Sequence, residues 1–321
     1  MAFFTFDSLH RGKKCAVIGC HGAGASIAHS LAHSGLVEAL VLIDRDRRLA
    51  DGQAADICAS LPLYTDTDVW AGDYSDVCDC ALIVLAIGTS PIYESAHADL
   101  ALLNLPLVRG AIAEICAHTK DAILLVVTEP VDIMTGVALK YSGFAKEHVF
   151  GIGTLPHTLQ LRRLIGKYLG ADPGQVEVQI MGCTGEHATV CWSGVRVCGM
   201  PLDAFLYQSE RSSDTLVLHS LFDDVLHQSM RAQDAKGCAN FSVAGAVLQV
   251  ADAILNDRNR LLPLSVCAGG YCDLFDVCLS LPCLVNRTGA HVAHQMLPSS
   301  AEIDLLQRSA AKLRSATLIL D

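Results

Sequence analysis

The residues best placed to do chemistry stand early in the chain, where a short apolar run ends in Gly19-Cys20-His21-Gly22-Ala23-Gly24 and a helix-forming stretch follows. Strand, glycine turn and helix N-terminus in that order are the fingerprint of a dinucleotide site, because the first-turn amides of the helix face the pyrophosphate. Gly19 supplies the tight turn, and Gly24 lets the helix pack closely on the strand. Twenty residues after Gly24 the second apolar run ends in Asp44. A carboxylate there accepts the adenosine ribose hydroxyls and repels a 2′-phosphate, which points to NAD rather than NADP. His21 is the departure: it stands where the fingerprint carries the glycine that brings backbone close to the pyrophosphate. Gly22 follows it directly. The alternative is a turn that packs well and binds nothing.

The elements that must hold this turn are legible around it. Residues 15–18, 39–43, 81–86 and 123–127 are continuous apolar runs, the pattern of strands buried on both faces. Helix-like segments lie between them at 25–34, 48–58, 99–117 and 131–141. Such alternation predicts right-handed crossovers and a doubly wound parallel sheet, an α/β Rossmann-type domain over residues 1–150. From 151 to 321 the pattern becomes α+β. A helix is expected at 157–169, β structure at 176–197, helices at 214–232 and 242–256, strands near 264–266 and 277–281, and a last helix from about 301. Ser299 and Glu302 have capping-box spacing for that helix. With no internal repeat and no Pro/Ser-rich linker, the two halves are expected to share an interface.

Composition narrows the function classes. The chain has 321 residues, 51% hydrophobic and 18% charged, with a mean hydropathy of +0.38, far from a disordered composition. Its longest unbroken apolar stretches, 81–87 and 122–127, fall short of the roughly 20 residues of a membrane span, so a soluble protein is expected. A net charge of −11 argues against a nucleic-acid partner. The one basic cluster, Arg45, Arg47 and Arg48, reads as a solvated turn. Fourteen cysteines occur without a C-x-x-C pair, and the N-terminal residues carry no legible targeting address; a reduced, cytoplasmic setting with buried thiols is the expectation.

Beyond these features the chain resembles the L-lactate/malate dehydrogenase family over essentially all of residues 14–315. The resemblance rests on collinear segments: Ala16-Val17-Ile18-Gly19, Leu42-Ile43-Asp44, Ala86-Ile87-Gly88, Val127-Thr128-Glu129-Pro130-Val131-Asp132, Gly151-Ile152-Gly153-Thr154, Gly185-Glu186-His187, Trp192-Ser193-Gly194 and Leu279-Ser280-Leu281-Pro282. It implies hydride transfer between the nicotinamide and the carbon of a 2-oxo acid, in a dimer or tetramer. It also adds Gly88 and Glu129 to the cofactor-binding set, Glu129 standing where the family has an Asn beside the nicotinamide ribose.

Four polar roles come with the family: an imidazolium proton donor, a carboxylate that orients it, an arginine clamping the substrate carboxylate, and a loop arginine polarising the carbonyl. His187 matches the proton donor. The other three positions fall on His157 in place of the aspartate, Gln160 in place of the clamping arginine, and His97 in place of the loop arginine. Five residues before His97, Ile92 takes the position that contacts the substrate side chain, which favours an apolar substituent over the second carboxylate of malate. The family's Gly-Asp-Ser run is missing between His187 and Trp192. A charge-assisted bidentate pair in a desolvated site is worth about 2–5 kcal/mol on truncation, and about 1.4 kcal/mol is tenfold in rate. An anionic 2-oxo acid is therefore poorly supported unless Arg162 or Arg163 swings in or His97 carries a proton. The spacing of His97, His157 and His187 offers no support for a metal. Two readings stay open: an NAD-dependent 2-hydroxy acid oxidoreductase fold with weak or altered activity toward an apolar 2-oxo acid or another carbonyl compound, or a catalytically inactive homologue, a pseudoenzyme, acting as a binding or assembly partner.

Overall fold

In a computed structural model, residues 13–63, 65–89, 97–185, 187–237, 240–296 and 298–317 are described. The first half runs β1 (Lys14–Ile18), α1 (Gly22–His33), β2 (Ala39–Ile43), α2 (Arg47–Ser60), β3 (Asp68–Ala71), β4 (Leu82–Leu85), α3 (His97–His118), β5 (Ile123–Val126), α4 (Val131–Ser142) and β6 (Val149–Gly151). These six strands pair in parallel in the order β3-β2-β1-β4-β5-β6. Strand order reverses at β1, which pairs with both β2 and β4, so a crevice opens beyond their carboxyl ends. All four predicted strands are present because each is a run whose every residue is buried. Side chains such as Ile83 and Leu85, fully buried, each contribute roughly 1.5–3 kcal/mol of transfer free energy.

The second half continues as α5 (Leu155–Leu169), β7 (Val176–Glu177), β8 (Ile180–Gly182), β9 (Ala188–Val190), β10 (Arg196–Val197), β11 (Met200–Pro201), α6 (Leu202–Gln208), α7 (Thr215–Lys236), α8 (Asn240–Leu255), β12 (Arg260–Cys267), β13 (Cys278–Asn286), β14 (Gly289–Val292) and α9 (Ser300–Thr317). Rather than forming a separate layer, β12, β13, β8 and β9 extend the first sheet beyond β6 through antiparallel pairing. A small sheet, β11-β10-β7, stands apart. Helix α8 packs on α1, so one apolar core spans residues from both halves, including Ile27, Leu31, Val247 and Val250.

Several expectations change. Strand β3 and helix α6 were not anticipated: the first is a four-residue edge strand that opens on an exposed Asp68 and is half-buried along its middle, and the second a seven-residue helix too short for a periodic signature. Helix α1 starts at Gly22 rather than residue 25, which places two of the turn glycines inside its first turn. The solvated-turn reading of the basic cluster is corrected for Arg47, whose guanidinium donates to the carbonyls of Ala71 and Gly72 and pairs with Asp51, tying α2 to β3. One segment, Asp99–His118 of α3, is long and apolar enough to cross a membrane by length and composition. Its buried face, Ala101, Val108, Ile112 and Ile115, packs on Ile83, Leu85 and Leu124 of the sheet. It is the core helix of an α/β layer.

At the other end of the molecule, Glu302 is buried and accepts from the Ser299 amide and hydroxyl, 2.7 and 2.8 Å, closing the cap of α9. The same carboxylate accepts from the Ser193 amide and hydroxyl at 3.0 and 2.5 Å. Burial pushes its pKa up, but those hydrogen bonds outweigh burial and hold it below the usual glutamate range.

Two outcomes follow from this packing. Glu302→Gln keeps the shape but gives up charge-assisted acceptance, and should cost about 2 kcal/mol at neutral pH in denaturant unfolding. Because the native carboxylate has the depressed pKa, its contribution is complete above the unfolded glutamate pKa and disappears as pH falls through the native one, so the two proteins should converge once pH has fallen below that depressed native value. Gly24→Ala sets a methyl against backbone, since a Cβ there would lie 1.7 Å from the Gly19 carbonyl oxygen. Its expected cost is about 2–3 kcal/mol in the same assay.

Candidate functional site at the crevice

The crevice is built by loops that prolong the parallel ladder. The Gly19 amide donates to the Ile43 carbonyl, 2.8 Å, and the Ala86 amide to Ile18, 2.8 Å. At Gly19, φ is +98° and a Cβ would meet the Ala86 carbonyl oxygen at 2.5 Å. This residue must be glycine for the loops after β1 and β4 to touch. His21 is exposed, in extended backbone with φ −96°, as the residue preceding α1, while the positive φ falls on Gly22 at +43°. The turn therefore demands no glycine at position 21, and the imidazole lies at the outer lip. As first-turn residues of α1, Gly22 and Ala23 present amides with no intrahelical acceptor.

Asp44 is half-buried at the end of β2, with one oxygen accepting from the Cys20 amide at 2.7 Å and the other from the Asp46 amide at 2.9 Å. These bonds fix its orientation and leave lone pairs for a ribose diol. On the far wall, Gly88 has φ +142°, and a Cβ there would press on the Asn104 amide at 3.0–3.1 Å. Asn104, buried in α3, accepts from the Thr89 amide at 2.9 Å and donates to the Glu129 carbonyl at 2.7 Å. It couples the loop after β4 to the loop after β5, a role that no sequence spacing announced. Close backbone, open amides and an oriented carboxylate fit a dinucleotide.

Glu129 precedes Pro130 through a cis peptide bond, and the Val131 amide donates to its carboxylate at 3.3 Å. Solvent reaches this residue, yet protein surrounds the carboxyl group. Burial, reinforced by nearby Asp132 and only partly offset by the Val131 amide, pushes its pKa up to about 7.

The loop that carries His187 joins β8 to β9 and is tied down by three elements. Asp132, buried in α4, accepts from the Thr184 amide and hydroxyl at 2.8 and 3.1 Å and from the Ser265 hydroxyl of β12 at 2.6 Å. The Cys183 amide donates to Ser309 of α9, 2.8 Å. One turn further along α9, Lys312 places its Nζ 2.9 Å from His187 Nε2, with both side chains exposed. An ammonium can only donate, so this contact is a hydrogen bond when the ring carries its proton on Nδ1. Neither Ser309 nor Lys312 was singled out by the sequence.

The other expected site residues sit differently. His157 is in the first turn of α5, half-buried, with a buried Nδ1 that has no hydrogen-bond partner. Burial holds its pKa below the usual histidine value, so it is neutral and cannot supply the charge of an orienting carboxylate. Gln160 donates to Gln228 of α7 at 2.6 Å. Arg162 donates to the Val176 carbonyl at 2.7 Å and Arg163 is exposed, so neither guanidinium takes the clamp position in this conformation. No hydrogen bond links His157 or Gln160 to His187 among the described residues, and no group of three or more His, Cys, Asp or Glu is placed to hold a metal there. Of the remaining two, His97 is described only as the first residue of α3, and Ile92 lies outside the described residues.

Residues 13–151 match a family model described as lactate/malate dehydrogenase, NAD binding domain, and residues 158–317 match lactate/malate dehydrogenase, alpha/beta C-terminal domain. The chain is 34% identical over 292 residues to a probable L-lactate dehydrogenase of Schizosaccharomyces pombe, covering 90% of this chain and 88% of that one. An L-lactate dehydrogenase of Acetivibrio thermocellus is 31% identical over 309 residues, 96% of this chain and 98% of its own. Among solved structures, a lactate dehydrogenase from a Medee basin deep-sea metagenome library superposes with a TM-score of 0.90 at 31% identity, over 96% of this chain and 99% of that one. The minor L-lactate dehydrogenase from Enterococcus mundtii superposes with a TM-score of 0.91 at 26% identity, over 97% and 99%. Matched end to end in both halves, and with a crevice whose glycines and Asp44 suit a dinucleotide, this chain belongs to the lactate/malate dehydrogenase family and takes NAD as its cofactor.

Proposed function

We propose that this protein is an NAD-dependent oxidoreductase of the 2-hydroxy acid type whose substrate site has been rebuilt, so that it turns over small 2-oxo anions weakly and favours an apolar 2-oxo acid or a neutral carbonyl compound. Residues 1–150 hold the cofactor and 151–321 face the substrate, in a cytoplasmic homo-oligomer. Free thiols at every described cysteine support the reducing compartment. When bound, the nicotinamide supplies or accepts the hydride. The chain's own tasks are to orient the carbonyl, stabilise charge on its oxygen and move one proton.

The observation that carries the proposal is the partner of each polar group. Gln160 is paired with an amide on α7, His157 is neutral with no partner at its buried Nδ1 among the described residues, and Glu129 brings a carboxyl group. Nothing among these neutralises a carboxylate. Among the described residues Lys312 is the cation that reaches His187, and it supplies a point charge rather than the planar fork of an arginine. To pass a proton through Nε2, His187 must first release Lys312, which then stands free to meet developing negative charge. The same bond favours the second reading, an inactive homologue serving as binding or assembly partner, because it withholds that nitrogen from substrate.

NADH fluorescence should report binding at micromolar to submillimolar concentrations; no binding at that level would leave only the partner reading. With NADH bound, a panel of carbonyl compounds should show slow oxidation that His187→Ala abolishes. Restoring charge with Gln160→Arg, His97→Arg and His157→Asp together should raise kcat/KM for pyruvate by about a hundredfold or more. Glu129 is neutral below about pH 7 and negative above it, so KM for an anionic substrate should climb as pH rises through that value. Glu129→Asn should flatten the climb between about pH 6 and 8, read from initial rates.

A further inference from the structure

Away from the crevice, β12 ends in Cys267 and β13 begins with Cys278, and the register pairs the two directly across the antiparallel ladder. The next position outward is closed by a hydrogen bond from the Ala268 amide to the Val277 carbonyl, 3.0 Å. Hydrogen-bonded and non-hydrogen-bonded pairs alternate, so Cys267 and Cys278 occupy a non-hydrogen-bonded pair, whose Cα atoms lie about 4.5 Å apart with both side chains on one face. That separation falls inside the range a disulfide spans, about 4.4–6.8 Å.

The two thiols differ in setting. Cys278 is buried, whereas Cys267 is half-exposed and lines a cavity of about 210 Å³ together with Lys146, Gly269, His291 and His294. The Cys278 thiol hydrogen-bonds to the Cys267 sulfur, and the Gly269 amide also donates to it; these push the Cys267 pKa down against the opposing effect of burial. Asp276 works against that shift and Lys146 with it. The Cys278 pKa goes up, through the same sulfur contact, burial and Asp132. The arrangement thus sets the lower-pKa sulfur at a solvent-reached cavity, where Lys146 stands 3.9 Å from the Glu147 carboxylate, and a protonated sulfur directly behind it.

We propose that Cys267 and Cys278 form a reversible peroxide-sensing dithiol, with Cys267 as the attacking sulfur and Cys278 as the resolving one. In the first step the Cys267 thiolate attacks the terminal oxygen of a hydroperoxide. An S–O bond forms, the O–O bond breaks, and the departing alkoxide or hydroxide takes a proton from water or a cavity cation. In the second step the Cys278 sulfur attacks the sulfenic sulfur, the S–S bond forms, the S–O bond breaks, and hydroxide leaves with the Cys278 proton as water. Two thiols are oxidised and one hydroperoxide is reduced to an alcohol, or to water when the oxidant is hydrogen peroxide. A directly opposed cross-strand pair lies near the wide end of the Cβ separations that disulfides span, about 4.5 Å, and a thiol reductant reaches the bond through the Cys267 cavity.

The test uses the full chain, reduced, freed of reductant and treated with stoichiometric hydrogen peroxide, followed by peptide mapping. The peptides carrying Cys267 and Cys278 should become linked with loss of two hydrogens and separate again on thiol reduction. In Cys278→Ser, a cyclic 1,3-diketone should capture a sulfenic acid at Cys267; in Cys267→Ser, Cys278 should stay unmodified. On the unaltered chain, which removes any question of misfolded variants, iodoacetamide should label Cys267 at least about tenfold faster at neutral pH than exposed Cys58, Cys78 or Cys198. Slower labelling than those surface thiols, or linkage of Cys267 to any cysteine other than Cys278, overturns the proposal.

Discussion

A small carboxylate leaves water for a closed pocket only where fixed positive charge replaces its hydration, because an unpaired buried ion costs several kcal/mol. The chemistry of this protein turns on that requirement. At the positions the sequence singled out, the described groups are an amide paired with Gln228, a neutral imidazole and a carboxyl group whose pKa is pushed up to about 7. The positive charge that does reach His187 comes from the last helix, through Lys312.

What holds the crevice and the His187 loop in register is a small set of buried polar bonds. Asn104 joins the loops after β4 and β5, and Asp132 joins α4, β12 and the β8–β9 loop. Each satisfies groups contributed by segments far apart in sequence, so removing one partner would leave another buried and unpaired, the costly case for a polar network. Glu302 does the same at the N-terminus of α9, the helix that carries Ser309 and Lys312. The segment from Cys183 to Ser193 is therefore held by the C-terminal helix.

The sequence disclosed the architecture where burial is two-sided and continuous. Strands β2, β4 and β5 are runs of Val, Ile, Leu and Ala, and β1 is apolar from Cys15 to Ile18 after its opening Lys14; the helices between them follow from that spacing. It was silent on β3, an exposed edge, and on α6, too short to show a period. At the glycine turn the residue types revealed the dinucleotide site, but only φ angles show that the left-handed position is Gly22 and that His21 is in extended backbone. The replacements at His157, Gln160 and Glu129 could be aligned from motifs. Their new partners could not, since Lys312 meets His187 across 125 positions and Gln228 meets Gln160 across 68. Cys267 and Cys278, eleven residues apart, likewise carry no motif and meet only through strand register.

The most direct measurement compares two ligands that differ in one charge, pyruvate and its neutral amide, by calorimetric titration into NADH-saturated protein above pH 7. If positive charge is missing from the pocket, the amide binds at least as tightly as the acid. Pyruvate binding tenfold or more tightly than the amide, about 1.4 kcal/mol in its favour, would mean that a cation completes the site and would contradict the account.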